Sequence, residues 1–314
     1  MAPRPGWDII PPIGVPVIQT GVDPHPLVAV PDVHSDTEAA EGDWGRTFIG
    51  LAALGINSRR SYIVALLRIL ASWLGFQVIV YAILVWIARS HRQFFPIALV
   101  LGLFLSVIVA GAAVARSVAR THRRPWLSLV SPSLAVDWRR LAIGAGVQAV
   151  LVLAMFVALR LIGAEPPSLQ RVVEPSVMAL ALLLIPFQAA SEEILFRGYL
   201  TQALGRVFRS RGKIVVAVAL LFAALHLNTY GPLTMPYMFV VSLALSAVSL
   251  RDERLELAIG AHAATNWIGV GTIGSLIYRD AALRITWFQL SALIVDFVLF
   301  YVLTRVFVRR FRDR

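Results

Sequence analysis

The sequence predicts an all-α polytopic membrane protein, about eight transmembrane helices enclosing an intramembrane polar cavity. Three observations predict it. Of 314 residues, 58% are hydrophobic and 15% charged, whereas a soluble domain is about one quarter charged and just under half apolar. Apolar stretches of bilayer-crossing length alternate with short arginine-rich loops. Acids, histidines and an asparagine sit within those stretches, where unpaired charge is costly and calls for a partner or a function.

Residues 1–45 read as a disordered tail, with eight prolines, seven acids and no periodic pattern. Residues 46–61 form a juxtamembrane segment ending in Arg59 and Arg60, and its stretch 46–60 is expected to lie on the membrane surface. The transmembrane domain covers 62–308, with spans at roughly 62–88, 94–115, 141–163, 174–200, 214–230, 233–250, 255–277 and 285–308. Arg68 sits near one end of the first span, where its side chain snorkels. A tight uncharged turn, "NTYGPLTMP", separates the fifth and sixth. Residues 309–314 are a basic C-terminus. No internal repeat and no second folded domain is visible.

The net charge of +11 invites a nucleic-acid reading, but the basic residues cluster in loops, as membrane orientation requires. No nucleic-acid motif accompanies them. The richest loops, 116–140 and 206–213, share a side with 251–254 and 305–314. The positive-inside rule then puts both termini in the cytoplasm, and an even number of spans agrees. With Lys213 the only lysine, the arginine-rich composition points to a bacterial plasma membrane. The chain has no cysteine, which excludes disulfides, thiolate metal sites and a cysteine nucleophile. The first apolar stretch, "IIPPIGVPVI", is broken by proline and lacks the basic start of a signal peptide.

The informative polar residues lie in spans four, five and seven. Glu193 and Arg197 are four apart with the acid first, the better order for an ion pair on one helix. Glu192 points about 100° away from Glu193 and is the acid left for chemistry. Phe222 and His226 are also four apart, as are His262 and Asn266, so each pair shares a face. A turn centred near residue 209 sets Glu192 and His226 at equal depth, roughly 20–25 Å along each helix. His262 lies eight residues beyond Arg254, about 12 Å along its helix. A carboxylate and an imidazole sharing a water make a general base. A His and an Asn on one face donate to an oxyanion. One Glu with two His (Glu192, His226, His262) is equally a zinc set with an open position, and the sequence does not separate the two.

In order, EExxxR (Glu192, Glu193, Arg197), FxxxH (Phe222, His226) and HxxxN (His262, Asn266) resemble the CPBP intramembrane proteases. These are the CAAX protease and bacteriocin-processing family, or type II CAAX prenyl endopeptidases. The resemblance covers about residues 175–275. It implies an endopeptidase, classed as a metallopeptidase but argued also to be a metal-free glutamate protease, with a site inside the bilayer open to the cytoplasm. It implies that Glu192 and His226 activate water, that His262 and Asn266 stabilise the oxyanion, and that Glu193, Arg197 and Phe222 support them. The cofactor is none or zinc, and the partners are a peptide or protein substrate, prenylated in the namesake activity, and the bilayer. The motifs HExxH, GxGD within a span, and GxSG with a downstream histidine are all missing.

Each residue alone has a plainer reading. A carboxylate–arginine pair is also a structural ion pair, a histidine on an apolar face a hydrogen-bonded core residue, and Asn266 a helix–helix contact. Asp296 in the last span reads as a carboxylate satisfied by a neighbouring helix. Trp126 and Trp138 read as interfacial anchors. A non-catalytic scaffold or immunity-type protein keeping the cluster for stability is the alternative function. A transporter using Glu192 and Asp296 would need discontinuous helices or inverted repeats.

Overall fold

Long apolar runs bounded by capping residues produce an all-helical bundle. The computed structural model describes residues 47–164, 175–230, 235–273 and 287–312. The tail 1–45, the outer ends of the predicted spans at 274–277 and 285–286, and residues 313–314 lie outside the described residues. Among those described there are eight long helices and no strand: α1 Arg59–Ser90, α2 Phe95–Arg120, α3 Trp138–Leu161, α4 Pro175–Leu204, α5 Arg211–Tyr230, α6 Met235–Asp252, α7 Glu256–Ile273 and α8 Trp287–Arg312. Each overlaps one predicted span. Five of them (α1, α2 with its short lead-in from Arg92, α3, α4 and α8) are long and apolar enough to cross a membrane. Several membrane-crossing helices are thus shown among the described residues.

The helix starts follow from local chemistry. Ser58 caps α1, its hydroxyl accepting from the Ser61 amide at 3.2 Å. Pro96 sits in the first turn of α2, where a missing N–H costs nothing. Asp137 caps α3, accepting from the Arg139 and Arg140 amides and pairing with the Arg140 guanidinium at 3.1 Å. Partial burial works against that carboxylate, yet these bonds to its charged form hold its pKa below the usual value.

Helix α7 lies between α3 and α4, and α8 bridges α3 and α6. Small residues allow this central place. A Cβ on Gly144 of α3 would collide with the Leu257 carbonyl of α7, and one on Gly260 of α7 with the Leu141 carbonyl of α3. The two backbones therefore touch, as glycine pairs permit in membrane helices. Residues Leu257 to Ala264 of α7 are consequently buried on almost every side.

Asp296 of α8 is buried and accepts from the Gln148 carboxamide of α3, the neighbouring-helix partner expected for it. At the other end of α8, Arg251 of α6 reaches the Thr304 hydroxyl at 2.7 Å and the Tyr301 ring at 4.6 Å.

In the juxtamembrane segment a 3-10 turn at Ile49–Leu54 packs against the bundle, burying Phe48, Ile49, Leu51 and Ala52. Burial of this short irregular piece requires partners for its backbone. The Phe48 amide donates to Glu253, and its carbonyl accepts from Gln202 Nε2 at 3.1 Å. Buried Arg124 donates to the Leu51 carbonyl at 3.1 Å. His122 Nδ1 donates to the Ile56 carbonyl at 2.8 Å, and its Nε2 accepts from the Tyr199 hydroxyl at 3.2 Å. A neutral ring satisfies both bonds.

Burial holds the pKa of His122 below its ordinary value; the Ile56 carbonyl opposes this and the Arg124 charge adds to it. A lowered histidine pKa contributes stability that is complete above the unfolded value of about 6.5 and is lost as pH falls toward the folded value. The thermal unfolding midpoint of the solubilised protein is expected to drop between about pH 7.5 and about pH 5.5. His122→Gln should lower the midpoint at the higher pH and flatten the dependence. An unchanged slope in that variant would remove His122 as its source.

Candidate active site

The site is built where α4, α5 and α7 meet. Pro186 lies inside α4 and has no N–H for the Leu182 carbonyl four residues earlier. Trp267 of α7 supplies the missing donor, its Nε1–H reaching the Leu182 carbonyl at 2.7 Å. This cross-link fixes α7 on α4 one residue after Asn266. Pro186, six residues before Glu192, is the signal in the sequence for a carbonyl on α4 that needs such a donor.

Immediately after Glu193 the helix widens into a π turn, Ile194–Leu200, which carries Arg197. Such turns replace the regular ladder and are frequent at functional sites. The Thr201 hydroxyl takes up the Phe196 carbonyl at 3.0 Å.

Glu193 is fully buried and its Oε1 accepts twice, from Arg197 at 3.0 Å and from His262 Nδ1 at 2.7 Å. Arg197 is also fully buried. Its Cζ lies 4.5 Å from the Phe222 ring centroid, a cation–π contact in a desolvated place. This contact reports the predicted hairpin register, since Arg197 is twelve residues before position 209 and Phe222 thirteen after it.

Because a carboxylate only accepts, the proton on His262 facing Glu193 is on Nδ1. Its Nε2 then faces Glu192, 3.6 Å from Oε2. The same argument applies to His226, whose Nδ1 donates to the Phe222 carbonyl at 2.7 Å, leaving the lone pair of the neutral ring on Nε2. Phe222 separates the two imidazoles, with ring centroids 4.3 Å from His226 and 6.4 Å from His262. Glu192 differs from its neighbour. Its side chain keeps 12% exposure, its Oε1 accepts from Gln188 Nε2 at 2.5 Å, and its Oε2 has no hydrogen bond among the described residues. Gln188 in turn accepts from Asn266 Nδ2 at 2.9 Å.

Glu192, Glu193, Arg197, Phe222 and His262 thus come together through direct contacts, Asn266 joins them through Gln188, and His226 packs on Phe222. Gln188 is the residue that sequence reading missed. It stands four before Glu192, the same spacing that paired the other motif residues. The fit to zinc is poor. Among the described residues, no group of three or more His, Cys, Asp and Glu is arranged to hold a metal ion. Glu192, His226 and His262 do not form a ready donor set, and no step below passes through a metal.

Comparison with known proteins agrees with the motifs. Residues 174–268 match the model of the type II CAAX prenyl endopeptidase Rce1-like family. A curated relative, the uncharacterized protein YyaK of Bacillus subtilis (strain 168), is 27% identical over 152 residues, covering 46% of this chain and 51% of the relative. The chain thus spans about half the length of the curated relative it matches. No solved structure matches.

Trp267→Phe keeps an aromatic ring, though a smaller one, and removes the donor to Leu182. It is expected to cost about 1–3 kcal/mol, the range for a buried acceptor left unpaired, measured as a lower unfolding midpoint. A midpoint equal to wild type would mean that this bond does not hold α7 on α4. Over residues 174–268, which include Pro186, Trp267 and all three motifs, this chain is similar to the Rce1-like type II CAAX prenyl endopeptidases.

Proposed function

We propose that this protein is an intramembrane endopeptidase that hydrolyses a peptide bond near the cytoplasmic face by means of Glu/His-activated water. One observation carries the reading. Glu192 offers a buried carboxylate oxygen, without a hydrogen bond among the described residues, 3.6 Å from an imidazole that a second, buried carboxylate holds in one tautomer. A purely structural ion pair needs no such division between neighbouring acids.

A water between Glu192 Oε2 and His226 gives its proton to this pair, and its oxygen bonds to the scissile carbonyl carbon. The carbonyl oxygen becomes an oxyanion that accepts from Asn266 Nδ2, whose second hydrogen remains after Gln188 takes the first. His262 Nε2 donates to the same oxyanion when the ring carries a second proton, since Nδ1–H is committed to Glu193. Glu192 and Glu193 flank that cation. As the C–N bond breaks, the proton taken from water passes to the leaving nitrogen. The products are a carboxylate and an amine.

The substrate class we propose is a membrane-associated peptide or protein, with a prenylated CAAX-type tail as the form the family name suggests. A bacterial plasma membrane with both termini in the cytoplasm completes the proposal, supported by the arginine-rich loops.

Comparing membrane-proteome termini by mass spectrometry, between cells with wild type and with Glu192→Ala at equal expression, tests the reading. New termini that require Glu192 are expected. Identical peptide maps, where deletion still gives a phenotype that Glu192→Ala complements, would favour the scaffold instead. With a cleaved substrate in hand, Glu192→Gln should lower turnover by about 10²–10⁴-fold, the usual share of a general base, at an unchanged unfolding midpoint. Chelators should leave turnover unaltered; a loss restored by zinc would overturn the metal-free form of the proposal.

A further inference from the structure

Gln188 is outside the three motifs, yet its carboxamide joins the proposed base to the proposed oxyanion donor. It is buried, one turn before Glu192 on α4. Its two bonds admit one orientation. An ionised carboxylate only accepts, so the amide nitrogen faces Glu192 and the amide oxygen must face Asn266.

That orientation has two consequences. A glutamate has three rotatable bonds, and Glu192 has no other hydrogen bond among the described residues. Gln188 engages Oε1 and so leaves Oε2 as the oxygen turned toward His262. On α7, the asparagine amide has a donor end and an acceptor end of nearly equal size. An acceptor oxygen on Gln188 selects the arrangement with Nδ2 toward α4. The reverse arrangement would set a carbonyl dipole against a developing oxyanion.

Resting on the hydrolytic reading above, we infer that Gln188 is a positioning residue, which assigns the two oxygens of Glu192 to separate tasks and orients Asn266 as an oxyanion donor. It acts through those two residues and does not itself meet the reacting atoms. Its effect therefore falls on the chemical step rather than on substrate binding.

The test uses the full-length protein in detergent micelles with a farnesylated CAAX-type peptide as probe. Gln188→Met keeps length and approximate volume but offers no amide. Its kcat is expected to fall by about 10–100-fold, the equivalent of one bond to a charged group, with KM within about threefold of wild type. Residues acting as a unit are non-additive, so adding Gln188→Met to Asn266→Ala should cost clearly less than Gln188→Met costs in the wild type, the remainder being its effect through Glu192. A packing role alone would give additive losses or a lower unfolding midpoint at unchanged kcat. Turnover equal to or faster than wild type, while Glu192→Gln is inert, overturns the inference and leaves the hydrolytic reading standing. A faster Gln188→Met would mark the amide as an occupant of the substrate's place. If the probe is not cleaved but Glu192-dependent termini exist in membranes, the same variants are scored on the rate at which those termini appear. Absence of both overturns the hydrolytic reading and this inference with it.

Discussion

The buried carboxylate of Glu193 is the constraint on which the rest of the site depends. It lies in an apolar bundle with no exposure and is compensated by one fully buried guanidinium, Arg197. Taking both ions out of water costs several kcal/mol each, and their attraction does not reliably exceed that cost. Removing either partner would leave the other charged and buried, which is worse. The pair is therefore poor as a stabilising device and strict as a geometric one. It holds the π turn at Ile194–Leu200 against α5 through the Phe222 ring, and α7 against α4 through His262.

Around that pair, the backbone is arranged so that α7 presents its polar face to α4. Gly144 and Gly260 let α3 and α7 touch. Pro186 opens a carbonyl on α4 that the indole of Trp267 then closes. Neither device is chemical in itself. Both fix the depth and rotation of α7, and with them the positions of His262 and Asn266. A bundle held only by apolar contact would tolerate small rotations of α7. Directional bonds to a proline-freed carbonyl and to a buried carboxylate do not.

Much of this was legible in the sequence because the decisive contacts are helical and local. The four-residue spacings of Glu193 with Arg197, Phe222 with His226 and His262 with Asn266 are properties of one helix each. The hairpin register followed from where the charges sit, and Phe222 on Arg197 reports it. The plain reading of Asp296 also held, since Gln148 supplies its partner. What escaped was contact between distant segments. The 49–54 turn reads in sequence only as an apolar juxtamembrane stretch, and its partners Arg124, Gln202 and Glu253 are 73 or more residues away in the chain. Gln188 stands one turn before Glu192, a spacing visible in the sequence, but its second partner, Asn266 on α7, is 78 residues away and only the fold supplies it. Of the eight predicted spans, five coincide with helices that meet both the length and the hydropathy of a membrane crossing among the described residues.

The adjacency of Glu192 and Glu193 acquires a physical meaning from these contacts. Neighbouring helical residues point about 100° apart, so two identical side chains on one turn enter two environments. Glu193 faces Arg197 and His262, with one oxygen taken twice and no exposure. Glu192 faces Gln188 and an accessible edge, with one oxygen engaged and the other without a hydrogen bond. Environment rather than residue type separates an acid that holds structure from one that moves a proton. A dipeptide of glutamates is thus the shortest sequence that supplies both at one depth. The second acid also makes the first usable, because it fixes the imidazole that Glu192 meets.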